Sequence, residues 1–125
     1  MKKVLIVEDE LITAKVLSKL ISNNGFEVSG IIKNGEIVAS VVKEKNPDLI
    51  LMDIILQGEK DGISAMEDVR AFSNVPVIYI TGYSDNATVE RARKTDSSAF
   101  ITKPYQTDFL VSVINKIFNN LIDKD

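Results

Sequence analysis

Five short apolar runs, each followed by a longer stretch of helical character, constrain this chain more than any other feature. The runs cover residues 4–7, 26–32, 49–52, 77–80 and 99–101. Strict alternation of strand and helix predicts a parallel sheet with helices on both faces. The first, third and fourth runs are the most apolar and belong at its centre. The second contains Glu27, Ser29 and Gly30 and suits an edge. The strand order 2-1-3-4-5 satisfies both conditions. The expected fold is therefore α/β, a flavodoxin-like doubly wound five-stranded parallel sheet with five helices on both faces. In such a sheet ligands bind outside the carboxyl ends of the strands, at the switch point between the first and third.

The helices are expected over residues 10–23, 36–45, 62–72, 85–94 and 107–121. Apolar side chains recur at helical spacing in most of them. Ala14, Leu17, Leu20 and Ile21 line one face of the first; Ile37, Val38, Val41 and Val42 that of the second; Ile63, Met66 and Val69 that of the third. The fourth offers only Ala87, Val89 and Ala92 and is expected to be weakly anchored and mobile. The last carries Phe109, Leu110, Val113, Ile114, Ile117 and Leu121 and is strongly amphipathic. Asn24-Gly25 and Asn46-Pro47 close the first two helices.

The third run ends in an acid. Asp53 stands between Leu49-Ile50-Leu51-Met52 and Ile54-Ile55-Leu56, and a buried, unpaired carboxylate costs several kcal/mol. The first run likewise ends in Glu8-Asp9-Glu10. Two neighbouring strands that both finish in carboxylates point to one acidic pocket where their ends meet. Glu8 and Asp9 alone would suit the start of a helix equally well. Three converging carboxylates repel unless a cation sits among them. A site built from oxygen donors fits Mg²⁺. Thr81 and Lys103 end the fourth and fifth strands and bring a hydroxyl and an ammonium to the same sheet edge.

Composition narrows the chemistry. With 125 residues and 45% hydrophobic content, the chain suits one domain with a substantial core. It has no Cys and no His, which removes thiol chemistry, zinc-thiolate sites and the usual general base. Its net charge of −3 includes no dense basic run, so direct nucleic-acid binding by this segment is not expected. No apolar run approaches the roughly 18–20 residues that span a bilayer. Nothing near Met1-Lys2-Lys3 reads as a signal peptide, so the expected location is the cytoplasm.

Taken together, Val7-Glu8-Asp9, Leu51-Met52-Asp53, Asp61-Gly62, Thr81-Gly82 and Lys103-Pro104 resemble the receiver domain of two-component response regulators. The resemblance runs from Lys3 to about Leu121 and implies that residues 1–125 form a single receiver domain. It implies that Asp53 is the phosphoacceptor, taking a phosphoryl group from a sensor histidine kinase or phosphotransfer protein. Asp9 matches a direct Mg²⁺ ligand, Glu8 one acting through water, and Asp53 and the backbone carbonyl of Ile55 complete the protein ligands; Mn²⁺ would serve in its place. Lys103 matches the phosphate-pairing Lys, with a peptide bond to Pro104 that is often cis in receivers. Thr81 and Phe100 match a switch pair that reshapes the surface of the fourth helix, fifth strand and last helix. That surface would meet a downstream protein, an output domain or a second copy of the chain. The activity implied is Mg²⁺-dependent self-phosphotransfer and self-dephosphorylation rather than that of a classical enzyme.

Four departures stand out. The loop after Asp53 is one residue longer than in many receivers. Leu56 stands where a Pro is usual, Asp96 where Gly is frequent, and Phe100 where Tyr is. Ile55 and Tyr83 flank the expected approach of water to phosphorus, and neither orients water, so slow self-dephosphorylation is expected. The main competing reading is a flavodoxin-like nucleotide or flavin binder. It would need phosphate-binding amides after the first strand, where this chain has Glu8-Asp9-Glu10. An aspartyl-nucleophile phosphatase would carry an Asp-x-Asp pair that Asp53-Ile54-Ile55 lacks. A docking-only pseudo-receiver fits poorly with an intact acceptor, acid pair, Thr and Lys.

Overall fold

β1 (Lys3–Val7), β3 (Leu49–Met52) and β4 (Val77–Thr81), the most apolar strands, lie at the centre of a five-stranded sheet. β2 (Glu27–Ile32) and β5 (Ala99–Thr102) form its edges, and the order is β2-β1-β3-β4-β5 with all pairs parallel. The structure, a computed structural model, describes residues 1–123, with side chains through residue 120. The crossovers are α1 (Leu11–Asn23), α2 (Val38–Lys45), α3 (Gly62–Arg70) and α4 (Asn86–Arg93), and α5 (Thr107–Asp123) follows β5. The doubly wound α/β fold expected from the alternation is the one observed.

Side chains alternate across each strand and so feed two cores. Leu5, Val7, Ile50, Met52, Val77 and Tyr79 pack on one face, against α2, α3 and Ala92 of α4. Val4, Ile6, Leu49, Leu51, Ile78 and Ile80 pack on the other, against α1 and α5. All four residues of β3 and all five of β4 are buried, which leaves polar groups to the ends of these strands.

Some local expectations shift. A 3-10 turn over Gly35–Ile37 precedes α2, and its tighter winding leaves Ile37 exposed while Val38 and Val42 face the core. Phe109 is also exposed. It lies roughly 100° around the helix from Leu110, and Leu110, Ile114 and Phe118 make the buried stripe. The side chain of Leu121 lies outside the described residues. Asp96 does adopt the left-handed conformation, at φ 55°.

α4 buries only Ala92, as its thin apolar content suggested, yet polar contacts hold it along its length. Asp85 caps its start by accepting from the Thr88 N–H at 3.2 Å. Arg91 Nη1 donates to Asp61 Oδ2 at 3.0 Å. Just past its end, the Thr95 and buried Tyr79 hydroxyls are 2.7 Å apart, and Arg70 Nε donates to the Thr95 carbonyl at 2.7 Å. Apart from the Asp85 cap, these ties join residues far apart in the chain, so no local pattern announces them. Among the described residues, no helix is long and apolar enough to cross a membrane.

Candidate functional site

Backbone ladders continue one residue beyond three strands, and each delivers a polar side chain. The Glu8 N–H donates to the Ile32 carbonyl at 2.8 Å, the Asp53 N–H to the Val7 carbonyl at 2.9 Å, and the Lys103 N–H to the Thr81 carbonyl at 2.8 Å. Parallel register therefore sets Glu8 beside Asp53 at the carboxyl edge, and brings Lys103 to the same edge one strand further on, beyond β4. One carboxylate oxygen each from Glu8, Asp9 and Asp53 lies within 4.8 Å of the others. Glu8 is only 4% exposed. Lys103 Nζ donates to Glu8 Oε1 at 2.9 Å and to Asp53 Oδ2 at 3.4 Å.

One ammonium among three carboxylates leaves two negative charges uncompensated. Asp9 registers the imbalance. Burial and then the hydrogen bond and charge of Glu8 push its carboxyl above the usual range, and Lys103 offsets this only in part. Burial alone would lower the Lys103 pKa, but its bond to Glu8 and the charges of Asp53 and Glu8 outweigh that and raise it. A cluster short of positive charge, built from hard oxygen donors, is what a divalent cation such as Mg²⁺ requires. The donor set fits that ion.

The cluster opens into a cleft of about 270 Å³ that Ile55, Thr81 and Tyr83 also line. Thr81 is fully buried, and its Oγ1 accepts from the Tyr83 N–H at 3.3 Å. Ile55, in the loop after β3, and Tyr83, in the loop after β4, have 51% and 57% of their surfaces exposed. Phe100 does not line the cleft. It pairs with Tyr79 in the sheet, two positions below the Thr81–Thr102 pair, and its ring centroid lies 6.3 Å from that of Tyr79. Thr81 and Phe100 thus share a face of the sheet but not a pocket. The Lys103–Pro104 peptide is cis.

The segment after Asp53 is held in ways its sequence hardly signals. The Gly62 N–H donates to the Ile54 carbonyl at 2.7 Å, and a Cβ on Gly62 would overlap the carbonyl oxygen of Asp53. Glycine is needed there because backbone meets backbone. Beside it, Asp61 caps α3 by accepting from the Ser64 N–H at 2.8 Å. Burial would raise the Asp61 carboxyl, but Arg91 and the Ser64 N–H together hold it below its ordinary range. The Asp-Gly dipeptide was the available signal, since a capping residue beside glycine marks a helix start under steric constraint.

Known proteins resemble this chain in sequence and fold. Residues 4–115 match the family model described as the response regulator receiver domain. The chain is 33% identical over 117 residues to the chemotaxis protein CheY of Thermotoga maritima, covering 93% of this chain and 97% of that protein. It is 29% identical over 113 residues to the transcriptional regulatory protein PdtaR of Mycobacterium tuberculosis; the match covers 90% of this chain but 55% of PdtaR, about half its length. Among solved structures, it resembles a chain of the CheX-CheY-BeF3-Mg+2 complex from Borrelia burgdorferi, with 26% identity, a TM-score of 0.86, and coverage of 94% of this chain and 89% of that one. The chain belongs to the response regulator receiver domains of two-component systems.

Proposed function

We propose that the chain works as one receiver domain in which Asp53 accepts a phosphoryl group from a sensor histidine kinase or a phosphotransfer protein. The observation that carries this reading is the meeting of Glu8, Asp9 and Asp53 with Lys103 at the open edge of the sheet. An Asp53 carboxylate oxygen forms the new P–O bond as the P–N bond of the donor phosphohistidine breaks, and the freed imidazole nitrogen takes up a proton. Lys103, already 3.4 Å from Asp53, pairs with a phosphoryl oxygen. Asp9, Asp53 and the Ile55 backbone carbonyl would hold Mg²⁺, or Mn²⁺ in its place, with Glu8 acting through water. Bound there, the cation offsets charge on the transferring group. The similar Borrelia burgdorferi chain is named with Mg²⁺ and BeF3, which supports this ligand assignment.

Reversal is hydrolysis. Water attacks phosphorus, inorganic phosphate leaves, and the Asp53 carboxylate is restored. Between the two events Thr81 turns its hydroxyl from the Tyr83 N–H to a phosphoryl oxygen, and Phe100 follows on the same sheet face. The surface of α4, β5 and α5 then changes for a downstream protein, an output domain or a second copy of the chain. Acidic residues at the switch point disfavour nucleotide phosphate, so nothing supports the flavin- or nucleotide-binding alternative.

Acetyl phosphate with Mg²⁺, followed by intact mass, tests the reading. A gain of about 80 Da, one phosphoryl group, is expected in the wild type. It is expected to vanish in Asp53→Asn and after chelation. A gain that survives Asp53→Asn would place the phosphoryl group elsewhere and refute the assignment.

A further inference from the structure

We propose that Glu36 is a positioning residue for the loop that carries the Ile55 carbonyl. This rests on the receiver reading above and adds a residue that the shared motifs do not include. The loop between β3 and α3 is longer than usual and lacks the customary Pro, so its own covalent structure does little to hold it. Glu36, on the 3-10 turn between β2 and α2, supplies the missing constraint. Its Oε1 accepts from the backbone N–H of Glu59 at 2.9 Å and of Lys60 at 3.0 Å. Adjacent N–H groups that converge on one oxygen make a small anion seat, here filled by an internal carboxylate.

The loop is shaped around that carboxylate. Gly58 has φ 89°, and a Cβ there would lie 2.7 Å from both Glu36 carboxylate oxygens. Asn34 and Gln57 form an isolated parallel bridge alongside. Lys60 sends its ammonium away to Asp68 on α3, at 2.5 Å, while its N–H serves Glu36. The Lys60 N–H, with smaller help from other backbone donors, holds the Glu36 carboxyl below its usual range, so it is ionised near neutral pH. Charge-assisted bonds of this kind are stronger than neutral ones. The segment is thus gripped at residues 57–60 by Glu36 and its neighbours, and at Ile54 by Gly62. Ile55 lies between the two grips.

Two roles are open to Glu36. It favours the start of the following helix by its charge, or it sets the loop. Its hydrogen bonds go to residues 23 and 24 positions away, so the loop is its partner. Removing it should loosen the loop and weaken cation binding without opening the core.

The test is a Mg²⁺ titration of the ¹⁵N-labelled full chain, read at the amides of Ile55 and Leu56. The set is wild type, Glu36→Ala, Glu36→Leu, Glu36→Gln and Gly58→Ala. Loss of an outer partner of a metal site commonly costs affinity tenfold or more; for this exposed contact a rise in Kd of about three- to tenfold is expected in Glu36→Ala. Amide exchange at Glu59 and Lys60 should accelerate in parallel. Glu36→Gln keeps an acceptor oxygen and should recover most of the affinity, which a simple loss of helix-start charge would not allow. Gly58→Ala crowds the same carboxylate but also strains backbone at φ 89°, so its weaker binding counts only beside that of a Glu36 variant; Glu36→Leu, which keeps bulk without an acceptor, decides if Glu36→Ala does not fold. Wild-type Mg²⁺ affinity in the deciding Glu36 variant overturns this inference and leaves the receiver reading intact. Failure of the wild type to bind Mg²⁺ overturns both.

Discussion

α3 and α4 pack on the same face of the sheet, yet different forces hold them. α3 buries Ile63, Ala65, Met66 and Val69 completely. α4 buries Ala92 alone and relies on the Arg91–Asp61 pair and on Tyr79 and Thr95 just past its end. Moving α3 would open a cavity, and cavities are costly in proportion to their volume. Moving α4 exchanges protein hydrogen bonds for water at a small net cost. The helix whose start meets Asp53 is fixed by packing. The helix of the proposed switch surface is fixed by contacts that water can replace, which suits an element with two arrangements.

The contrast is tested most severely at Ile63. Ile63→Ala is expected to cost about 2–5 kcal/mol, measured by urea unfolding. Val89→Ala on α4 should cost under about 1 kcal/mol, since its side chain is only partly buried. Equal losses at the two positions would erase the distinction.

Next in size is the lifetime of the proposed phosphoryl group. Ile55, in the loop before α3, and Tyr83, in the loop before α4, both line the cleft. Replacing both, as Ile55→Asn with Tyr83→Ala, is expected to shorten the half-life about three- to tenfold, up to about 1.4 kcal/mol of barrier. Decay of the +80 Da species measures it, and the single variants show which side chain governs water access. An unchanged lifetime would mean that neither does.

A smaller loss, about 1 kcal/mol, is expected for Tyr79→Phe, which removes one buried hydroxyl bond to Thr95. Its pH dependence has a definite sign. Burial pushes the Tyr79 phenol up from 10.0 to about 12, so the folded state holds its proton where the unfolded chain releases it. Stability from this group is complete below pH 10 and is lost as pH rises through about 12. Unfolding curves across that window should fall more steeply for wild type than for Tyr79→Phe.

The smallest global effect belongs to Arg91→Ala. The pair is partly exposed, with Arg91 at 47% and Asp61 at 28%, so the loss should stay within about 1 kcal/mol. The local effect should still be clear, with faster amide exchange in α4 and unchanged exchange in α3. Uniform acceleration in both helices would show that they open together.

Much of this was legible before any coordinates. The strand order followed from which apolar runs were richest, because central strands must be buried on both faces. Glu8, Asp9, Asp53, Thr81 and Lys103 were legible for the same reason: each lies at or just beyond the carboxyl end of a run, and parallel strands bring such ends to one edge. Ile37 and Phe109 were misjudged because periodicity counts apolar residues without knowing where a helix starts or where the sheet beneath it stops.

The contacts that tune the site were decided by tertiary structure. Glu36 reaches amides 23 and 24 residues away, Arg91 reaches back 30 residues to Asp61, and Tyr79 meets Thr95 across 16. Gly62 must lack a side chain only because the Asp53 carbonyl sits against it. Local spacing carries information over one or two helical turns or along one strand, and that sufficed for the elements, their order and the residues at their ends. Hydrogen-bond partners between elements depend on how those elements pack, so the chain alone named the groups and the fold chose their partners.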